Sequence, residues 1–446
     1  EIYQKKTQLE HILLRPDTYI GSVESVEQAM WIYDVKTSKM EQKVISYVPG
    51  LYKIFDEILV NAADNKIRDP SMSTVKVDIS AQDPPTITVY NNGQGIPVEM
   101  HETEKVYIPE LIFGHLLTSS NYDDAEQKVT GGRNGFGAKL CNIFSKRFTI
   151  ETSDKSRGKR FKQVFTDNMS TAETPKFLKA TKEDFTQVTF EPDLSKFGLT
   201  HLSDDFVALL RKRVVDVAGC VRDVKVFLNG ERIKVKNFKE YCGLYLEEIQ
   251  KPKPSMIYER INDRWEVCFT PSTDGQFHQV SFVNSIATSR GGTHVTYIAE
   301  QIVSYLVKLG SKKVKQTTIK PHQARSQLWV FVNCLIVNPA FDSQTKDTLT
   351  LRASFFGSKC ILPDPYLTKV GKTGVLEEML MQVRAKQDQA LKKTDGGKRS
   401  RITGISKLED ANFAGTRRSR ECTLILTEGD SAKSLAIAGL GKVGRD

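Results

Sequence analysis

The chain has 446 residues, of which 39% are hydrophobic, and its mean hydropathy of −0.36 is typical of a globular protein with two to three domains. Lysine and arginine outnumber aspartate and glutamate by 64 to 54, and the resulting net charge of +10 favours polyanionic partners such as nucleic acid. The longest apolar runs are too short to cross a bilayer, the first residues do not resemble a signal peptide, and the seven cysteines form no Cys-x-x-Cys pair, so we expect no membrane partner, zinc site or disulfide framework.

The first part of the chain predicts an α/β domain. Apolar side chains recur at helical spacing over residues 51–66 and form one face of a helix. One glycine-rich loop covers residues 91–95, and a second covers residues 119–137 before a helix predicted at 138–144. Alternation predicts strands at residues 75–80, 86–90, 148–152, 161–165, 186–191 and 224–228. We therefore expect a mostly antiparallel sheet with helices on one face.

A second unit is predicted from about residue 231. It has a helix at residues 295–309 and strands at residues 265–270, 279–283 and 328–337. The polar, basic stretch 391–420 is typical of a linker. A short apolar run at residues 422–427 then predicts one more strand.

The predicted helix at residues 51–66 also carries a polar stripe. Glu57, Asn61, Asp64 or Asn65, and Arg68 are spaced so that they stack on one side. A carboxylate one turn from an amide can hold a water and a Mg²⁺ ion, because both groups offer oxygen atoms. A solvated helix face has the same pattern, and the stripe alone favours that simpler interpretation.

The two glycine-rich loops favour a nucleotide site over a solvated face. The second loop opens a helix, where backbone N–H groups can receive phosphates. It is not a P-loop, because Ala138 stands where that motif requires lysine. A helix bearing Asn61 and Asn65, followed by two glycine loops in this order, resembles the ATPase superfamily of gyrase, heat-shock chaperones and mismatch-repair proteins.

Longer stretches resemble the eukaryotic topoisomerase II family over essentially the whole chain. They are LEHILLRPDTYIG at 9–21, EILVNAADNK at 57–66, LTSSNYDD at 117–124, TGGRNGFGAKLCNIFS at 130–145 and EGDSA at 428–432. The resemblance implies a layered ATPase domain of the gyrase, chaperone and histidine-kinase type. It also implies a β-α-β coupling, or transducer, domain after it.

The same resemblance assigns roles to individual residues. It makes Glu57 the general base that activates water, Asn61 the ligand of Mg²⁺, and Asn92 the side chain that faces adenine. Lys346, in the Gln344-Thr345-Lys346 loop of the second unit, would reach the γ-phosphate of ATP, although most lysines simply lie on the surface. The other predicted nucleotide contacts are Tyr3, Asp64, Asn65, Arg68, Ile96, Phe113, Ser119, Ser120, Asn121, Arg133, Asn134, Gly135, Phe136, Gly137, Ala138, Lys139 and Gln344.

Two further sites are predicted on the same grounds. Lys312, Lys313 and Lys315 resemble a DNA-sensing loop between a helix and the next strand, although a run of charge is usually just solvated. Glu428 resembles the Mg²⁺ ligand that opens a topoisomerase–primase module, but Asp430 or Ser431 could equally cap an ordinary helix. The Asp-x-Asp motif that completes such a module is absent from the sequence.

Together these features predict an ATP-operated, Mg²⁺-dependent clamp. The expected domains are an ATPase domain with an N-terminal arm at 1–230, a transducer at 231–390, a basic linker at 391–420 and the start of the topoisomerase–primase module at 421–446. The expected partners are double-stranded DNA and a second copy of the chain, in the nucleus. The alternatives are a chaperone-type or mismatch-repair ATPase clamp, and a DNA-binding module whose ATP site is inactive.

Overall fold

The computed structural model describes residues 5–116, 128–132, 135–246, 255–313, 319–381 and 408–444. Residues 1–379 form one compact unit and residues 380–446 another. None of the helices in the described residues is both long and apolar enough to span a membrane. The predicted domain boundary near residue 230 lies inside the first unit and stays a prediction.

A nine-stranded sheet organises the first half of the chain. Neighbouring strands are antiparallel except Lys225–Leu228, which runs parallel to Thr74–Ser80. The strands lie in the order Glu231–Arg232, Lys225–Leu228, Thr74–Ser80, Thr86–Asn92, Phe185–Pro192, Ser145–Asp154, Lys159–Thr166 and Thr171–Ala172, with Lys176–Lys179 also paired to Lys159–Thr166. The predicted mostly antiparallel α/β fold is therefore confirmed, and Asn229-Gly230 forms the hairpin turn between Lys225–Leu228 and Glu231–Arg232.

One long helix, Pro49–Arg68, here called the site helix, contacts this sheet. It begins at a proline, whose missing N–H is no loss in the first turn, and it ends before Asp69-Pro70, because the residue before a proline disfavours helical backbone. The apolar positions that predict this helix are all buried, and they are Leu51, Ile54, Phe55, Ile58, Leu59 and Ala62. The remaining helices of this half are Gln8–Leu14, Asp17–Ile20, Ile108–Gly114, Gly137–Ile143, Asp204–Cys220 and Phe238–Gly243, with a 3₁₀ turn at Leu194–Phe197.

The N-terminal segment packs on its own chain. Ile12 and Ile20, from its two short helices, are completely buried and belong to the main hydrophobic core. The hairpin of Val26–Asp34 with Lys39–Tyr47 follows. The segment of residues 8–20 thus packs against the core of its own chain, and its predicted role as an N-terminal arm stays a prediction. Tyr3 lies outside the described residues.

The second half is built on a five-stranded sheet. Its strands lie in the order Ile257–Asn262, Trp265–Pro271, Leu328–Cys334, His278–Val283 and Ile286–Ala287. The parallel neighbours His278–Val283 and Leu328–Cys334 are connected through the helix Thr293–Lys313, which gives the predicted β-α-β arrangement. Shorter helices follow at Pro321–Arg325 and Asp364–Gly371, with a 3₁₀ turn at Ala353–Phe355.

In the second compact unit the predicted strand at residues 422–427 is wrong. The unit contains a 3₁₀ turn, Ser419–Glu421, and a helix, Gly429–Val443, and the residues between them have no strand pairing. Leu424 and Leu426 are exposed. A strand needs a neighbour to accept and donate its backbone hydrogen bonds, and none of the described residues supplies one. Most of the predicted linker at 391–420 lies outside the described residues.

Candidate nucleotide-binding site

A cavity of about 730 Å³ opens between the site helix and the strand Thr86–Asn92. Its volume falls within the range of small-molecule sites. One end is polar and the other is lined by apolar side chains. The residues that line it include Glu57, Asn61, Asn65, Arg68, Val89, Asn91, Ile96, His101, Glu104, Phe113, Gly135, Gly137, Ala138, Lys139, Gln344 and Lys346.

At the polar end, a buried carboxylate meets two buried ammonium groups. The Lys346 Nζ donates to Glu57 Oε1 over 2.9 Å, and the Lys53 Nζ lies 2.7 Å from the same oxygen. The second oxygen, Oε2, lies beside Gly137 at the cavity wall, where any side chain on that glycine would collide with it. Burial opposes ionisation of Glu57, but the charges of Lys346 and Lys53 outweigh it and lower the pKa of Glu57 to about 2. This carboxylate is therefore ionised at neutral pH.

Lys346 reaches this carboxylate from the second half of the chain. Its backbone is in the left-handed region, with a φ of 63°, and its N–H donates to the carbonyl of Ser343 over 3.1 Å. The segment before the helix Thr293–Lys313 fixes the loop, because the Arg290 N–H donates to the Asp347 carbonyl over 3.1 Å. The fold thus brings together the predicted pair, Glu57 and Lys346, and places Gln344 in the cavity wall.

The polar stripe of the site helix divides into two parts. Glu57, Asn61, Asn65 and Arg68 line the cavity. Asp64 turns instead to the second glycine-rich loop, where its two carboxylate oxygens accept from the N–H groups of Gly131 and Gly132, each over 2.8 Å. Burial raises the pKa of Asp64 to about 6, although the two N–H donors oppose this rise. Asp64 therefore anchors the loop without lining the cavity.

The second half of the chain also holds this loop. The Asn284 Nδ2 donates to the Thr130 carbonyl over 3.2 Å, and the Asn338 N–H donates to the Lys128 carbonyl over 3.0 Å. Residues 128–132 are consequently clamped between the site helix and two turns of the second half. Any movement of that half would act directly on the loop.

The first glycine-rich loop corrects one prediction. Asn92 does not line the cavity, because its Oδ1 accepts from the N–H groups of Ser73 and Thr74 over 3.0 and 2.8 Å, and its Nδ2 donates to Glu183 over 2.7 Å. Asn91 lines the cavity instead. Successive residues of a strand point to opposite faces, so Asn91 shares its face with the buried Val89. That alternation places Asn91 and Asn92 on opposite faces of the strand, but it does not show which of the two faces the cavity.

The apolar end of the cavity has the properties of a base site. The predicted residues Ile96 and Phe113 both line it, and the Ile96 N–H donates to Thr152 Oγ1 over 3.0 Å. Gly95 is required there, because a side chain would run into the carbonyl of Ser153. His101 and Glu104 also line the cavity, and no sequence pattern pointed to them.

At the start of the helix Gly137–Ile143, Gly135, Gly137, Ala138 and Lys139 line the cavity as predicted. Burial lowers the pKa of Lys139 to about 8. Phe136 turns away from the cavity and packs on Tyr19, with ring centroids 6.0 Å apart. The predicted contacts Tyr3, Ser119, Ser120, Asn121, Arg133 and Asn134 lie outside the described residues.

The donor set fits a magnesium ion held mainly by a nucleotide. No cluster of three or more His, Cys, Asp or Glu side chains that could hold a metal occurs among the described residues. Asn61 lines the cavity one turn from Glu57, and within the described part of the chain no hydrogen bond occupies its amide. Mg²⁺ in phosphate sites uses one or two protein oxygens together with substrate phosphates and water. Asn61 can supply one such oxygen.

The remaining predicted residues are placed elsewhere. Lys312 and Lys313 end the helix Thr293–Lys313 and do not lie in a loop, and Lys313 pairs with Glu377 over 3.0 Å. Lys315 lies outside the described residues. Glu428, in the second compact unit, is exposed and precedes the helix Gly429–Val443 without capping it through its side chain. Its assignment as a metal ligand stays a prediction.

Two family matches divide the chain as the two halves of the fold do. Residues 48–168 match the family of histidine kinase-, DNA gyrase B- and HSP90-like ATPases. Residues 236–395 match the DNA gyrase B family. The first match contains the site helix and both glycine-rich loops, and the second contains the loop that carries Lys346.

Full-length relatives give the same result. The chain is 58% identical to DNA topoisomerase 2 of Pisum sativum and 54% identical to that of Saccharomyces cerevisiae, with all of this chain covered in both cases. It covers 30% of the Pisum protein and 32% of the Saccharomyces protein, so it spans about a third of the length of these curated relatives.

Solved structures match at the level of the fold and the sequence. The ATPase region of Saccharomyces cerevisiae topoisomerase II superposes with a TM-score of 0.81 at 54% identity, covering 86% of this chain and 99% of that structure. The ATPase and transducer domains of Balamuthia mandrillaris topoisomerase II superpose with a TM-score of 0.82 at 50% identity, covering 87% of this chain and 98% of that structure. A Thermus thermophilus gyrase B ATPase domain shares the fold, with a TM-score of 0.55 at 20% identity and coverages of 86% and 97%.

Proposed function

Because this chain belongs to the eukaryotic DNA topoisomerase 2 family and matches its ATPase region, we propose that it is a Mg²⁺-dependent, ATP-operated clamp that drives DNA strand passage in a complete topoisomerase. One observation carries this proposal: a buried, ionised Glu57 sits at the polar end of a nucleotide-sized cavity, in contact with a lysine delivered from the second half of the chain.

The chemistry follows from the two oxygens of Glu57. A water beside Oε2 attacks the γ-phosphorus, the bond from that phosphorus to the bridging oxygen of ADP breaks, and the water proton passes to Oε2. Lys346 compensates the charge that develops on the γ-phosphate, since phosphoryl transfer depends chiefly on position and electrostatics. Mg²⁺, when bound through Asn61, would supply further charge neutralisation at the phosphates.

The base end of the cavity supports a purine nucleotide. Ile96 and Phe113 offer apolar surface for a flat ring, and Asn91 offers an amide that can both donate and accept hydrogen bonds. We place the adenine edge against Asn91, with the phosphates toward Lys139 and Lys346. This orientation is required if Glu57 is to reach the γ-phosphate end.

Lys346 couples this chemistry to clamp movement. It is the side chain through which the second half of the chain touches Glu57, while Asn284 and Asn338 hold the second glycine-rich loop. Phosphate release would remove the partner that Lys346 takes in the ATP state. The resulting shift of the second half is the movement that we propose opens the clamp.

DNA and a second copy of the chain are the proposed partners, in the nucleus. The net charge of +10 favours a polyanion, and Lys312 lies exposed in the last turn of its helix. We expect the protein to associate when ATP or a non-hydrolysable analogue is bound, because a ligand that prefers the closed dimer must favour dimerisation by mass action. Light scattering with and without the analogue tests this association.

Phosphate release from ATP tests the main proposal. We expect Mg²⁺-dependent turnover that rises when linear double-stranded DNA is added, and no such rise for an ATPase clamp of the chaperone type. Absence of phosphate release, with analogue binding intact, would favour the alternative of a DNA-binding module with an inactive site. Mixing in EDTA provides the metal-free control.

A further inference from the structure

Lys53 is a buried lysine that the chemistry above does not use. It lies on the site helix, four residues before Glu57, and only 4% of its surface is exposed. Its Nζ is 2.7 Å from Glu57 Oε1 and 3.8 Å from Asp56 Oδ2. A lysine is among the residues least often buried, so this position has a specific cause.

The two lysines that contact Glu57 differ in whether a bound phosphate can draw them away from its carboxylate. Lys346 belongs to a loop and lines the cavity, so an incoming phosphate can take its ammonium group. Lys53 belongs to the same helix as Glu57 and is absent from the described residues that line the cavity. A nucleotide therefore competes for Lys346 and leaves Lys53 in place.

If Lys346 moved away and no other positive charge remained beside Glu57, burial would favour protonation of its carboxylate. Burial favours the neutral form of a carboxyl group, and a protonated Glu57 could not accept a proton from water. In the described part of the chain, two charged groups act on Glu57, Lys53 on its own helix and Lys346 from the second half of the chain; Asp56 and Asp347 act in turn on Lys53, and Lys139 is another cation that lines the cavity. Among these described groups, Lys53 is the cation that is both in contact with Glu57 and outside the reach of a phosphate in the cavity.

We propose that Lys53 is a positioning residue for ATP hydrolysis: it holds Glu57 Oε1 and keeps the carboxylate ionised after Lys346 has moved to the γ-phosphate, so that Oε2 remains available to the attacking water. The inference rests on the proposed ATPase function and deepens it. Lys53 itself touches neither the nucleotide nor the water. Its contribution acts through Glu57 alone.

If Lys53 has this role, removing its charge should lower the turnover of ATP without weakening the binding of ATP. In Lys53→Met, which keeps the length of the side chain and removes its charge, we expect kcat for ATP to fall roughly ten- to a hundredfold, less than the loss of the base itself would cause. The KM for ATP and the Kd of a non-hydrolysable analogue should stay within about threefold of the wild type, because Lys53 does not contact the ligand. In Lys53→Arg, the retained charge should keep kcat within about threefold.

Lys212→Met is the matched control. Lys212 also lies four residues from a buried acid on a helix, 2.9 Å from Asp216, but it neither lines the cavity nor contacts Glu57. We expect its kcat to be unchanged, whatever the change in its Tm. This control separates a general effect of removing a buried ion pair from an effect on Glu57.

If Lys53→Met does not fold, Lys53→Gln replaces it, because the amide retains a donor without the charge. Equal kcat in the Arg and Gln variants would overturn the proposal, and so would a wild-type kcat in either neutral variant. A loss of analogue binding in proportion to kcat would also overturn it, since that result indicates a structural role. Wild-type protein and Glu57→Gln are measured in parallel, so that a failure of the ATPase proposal is seen there first.

Discussion

Two buried carboxylates of the site helix behave in opposite ways. Glu57 and Asp64 are two helical turns apart, with exposures of 4% and 2%. The pKa of Glu57 is lowered to about 2, whereas that of Asp64 is raised to about 6. Burial pushes both values upward, so the difference arises from the partners. Glu57 meets two ammonium groups, and Asp64 meets two backbone N–H groups.

The comparison separates a chemical role from a structural role. A full positive charge nearby keeps Glu57 ionised in a dry environment, which a proton acceptor requires. The N–H groups of Gly131 and Gly132 satisfy Asp64 and fix a loop, but they carry only partial charges. The same helix thus provides reactivity near its middle and anchorage near its end.

The largest expected effect is at Glu57. Glu57→Gln should lower ATP turnover by roughly two to four orders of magnitude, the span typical of a lost general base, because an amide cannot accept the water proton. Analogue binding should persist, since the phosphates remain in contact with Lys139 and Lys346. Phosphate release and analogue titration measure the two quantities. Turnover within a few-fold of the wild type would remove Glu57 from the chemistry.

The pH dependence of stability should show opposite slopes for the two groups. The depressed pKa of Glu57 contributes stability that is present above its unfolded value of 4.5 and lost as the pH falls toward 2. The raised pKa of Asp64 contributes stability that is present below its unfolded value of 3.8 and lost as the pH rises through about 6. Each shift corresponds to a change on the order of 3 kcal/mol in the free energy of unfolding.

Urea unfolding of wild type and Asp64→Asn between pH 4 and pH 6.5 checks this prediction. The variant should lose the part of the pH dependence that comes from Asp64. Its free energy of unfolding should therefore increase relative to that of the wild type as the pH rises, which means that the variant becomes relatively more stable. Parallel curves for the two proteins would mean that Asp64 titrates normally. The variant Asp205→Asn, which changes an exposed partner of Lys43, serves as the control.

At fixed neutral pH, Asp64→Asn should weaken loop anchorage. The amide has one acceptor oxygen, so one of the N–H groups of Gly131 and Gly132 loses its partner, at a cost of about 1–3 kcal/mol. Because the loop borders the cavity, we expect weaker analogue binding, with a smaller loss of kcat than in Glu57→Gln. Isothermal titration of the analogue measures this change. A kcat loss as large as that of Glu57→Gln would contradict the division of roles.

The smallest expected effects distinguish the neighbours Asn91 and Asn92. Asn91→Ala should weaken ATP binding about tenfold, since Asn91 lines the cavity, and should lower Tm less than Asn92→Ala, because its side chain makes one hydrogen bond to the described residues, from Nδ2 to the Asn92 carbonyl. Asn92→Ala should do the reverse, lowering stability by about 1–3 kcal/mol through the unpaired N–H groups of Ser73 and Thr74. Thermal unfolding and nucleotide titration on both variants check the assignment. The opposite pattern would restore Asn92 as the base contact.

The amino-acid sequence alone predicts the helix and the strands that build the site, and a resemblance to a known family suggests the roles of its residues. The apolar spacing of residues 51–66 fixes a helix, and the alternation after residue 74 fixes strands, because both patterns depend on local backbone geometry. Glu57, Asn61 and Lys346 were identified from motifs, and the structure brings all three to one cavity. The predicted strand at residues 422–427 failed because pairing depends on neighbours that a local pattern does not contain.

Tertiary structure alone decided which side chains meet. Nothing in the local sequence distinguishes Lys53 from a surface lysine, and the partners of Asp64 lie 67 and 68 residues away in the chain. Strand alternation places Asn91 and Asn92 on opposite faces, but only the packing of the site helix shows which face bounds the cavity. A buried carboxylate takes its ionisation state from its contacts, and for Glu57 one of these, Lys53, lies four residues away on the same helix, whereas the other, Lys346, is distant in the chain and is brought there only by the tertiary structure.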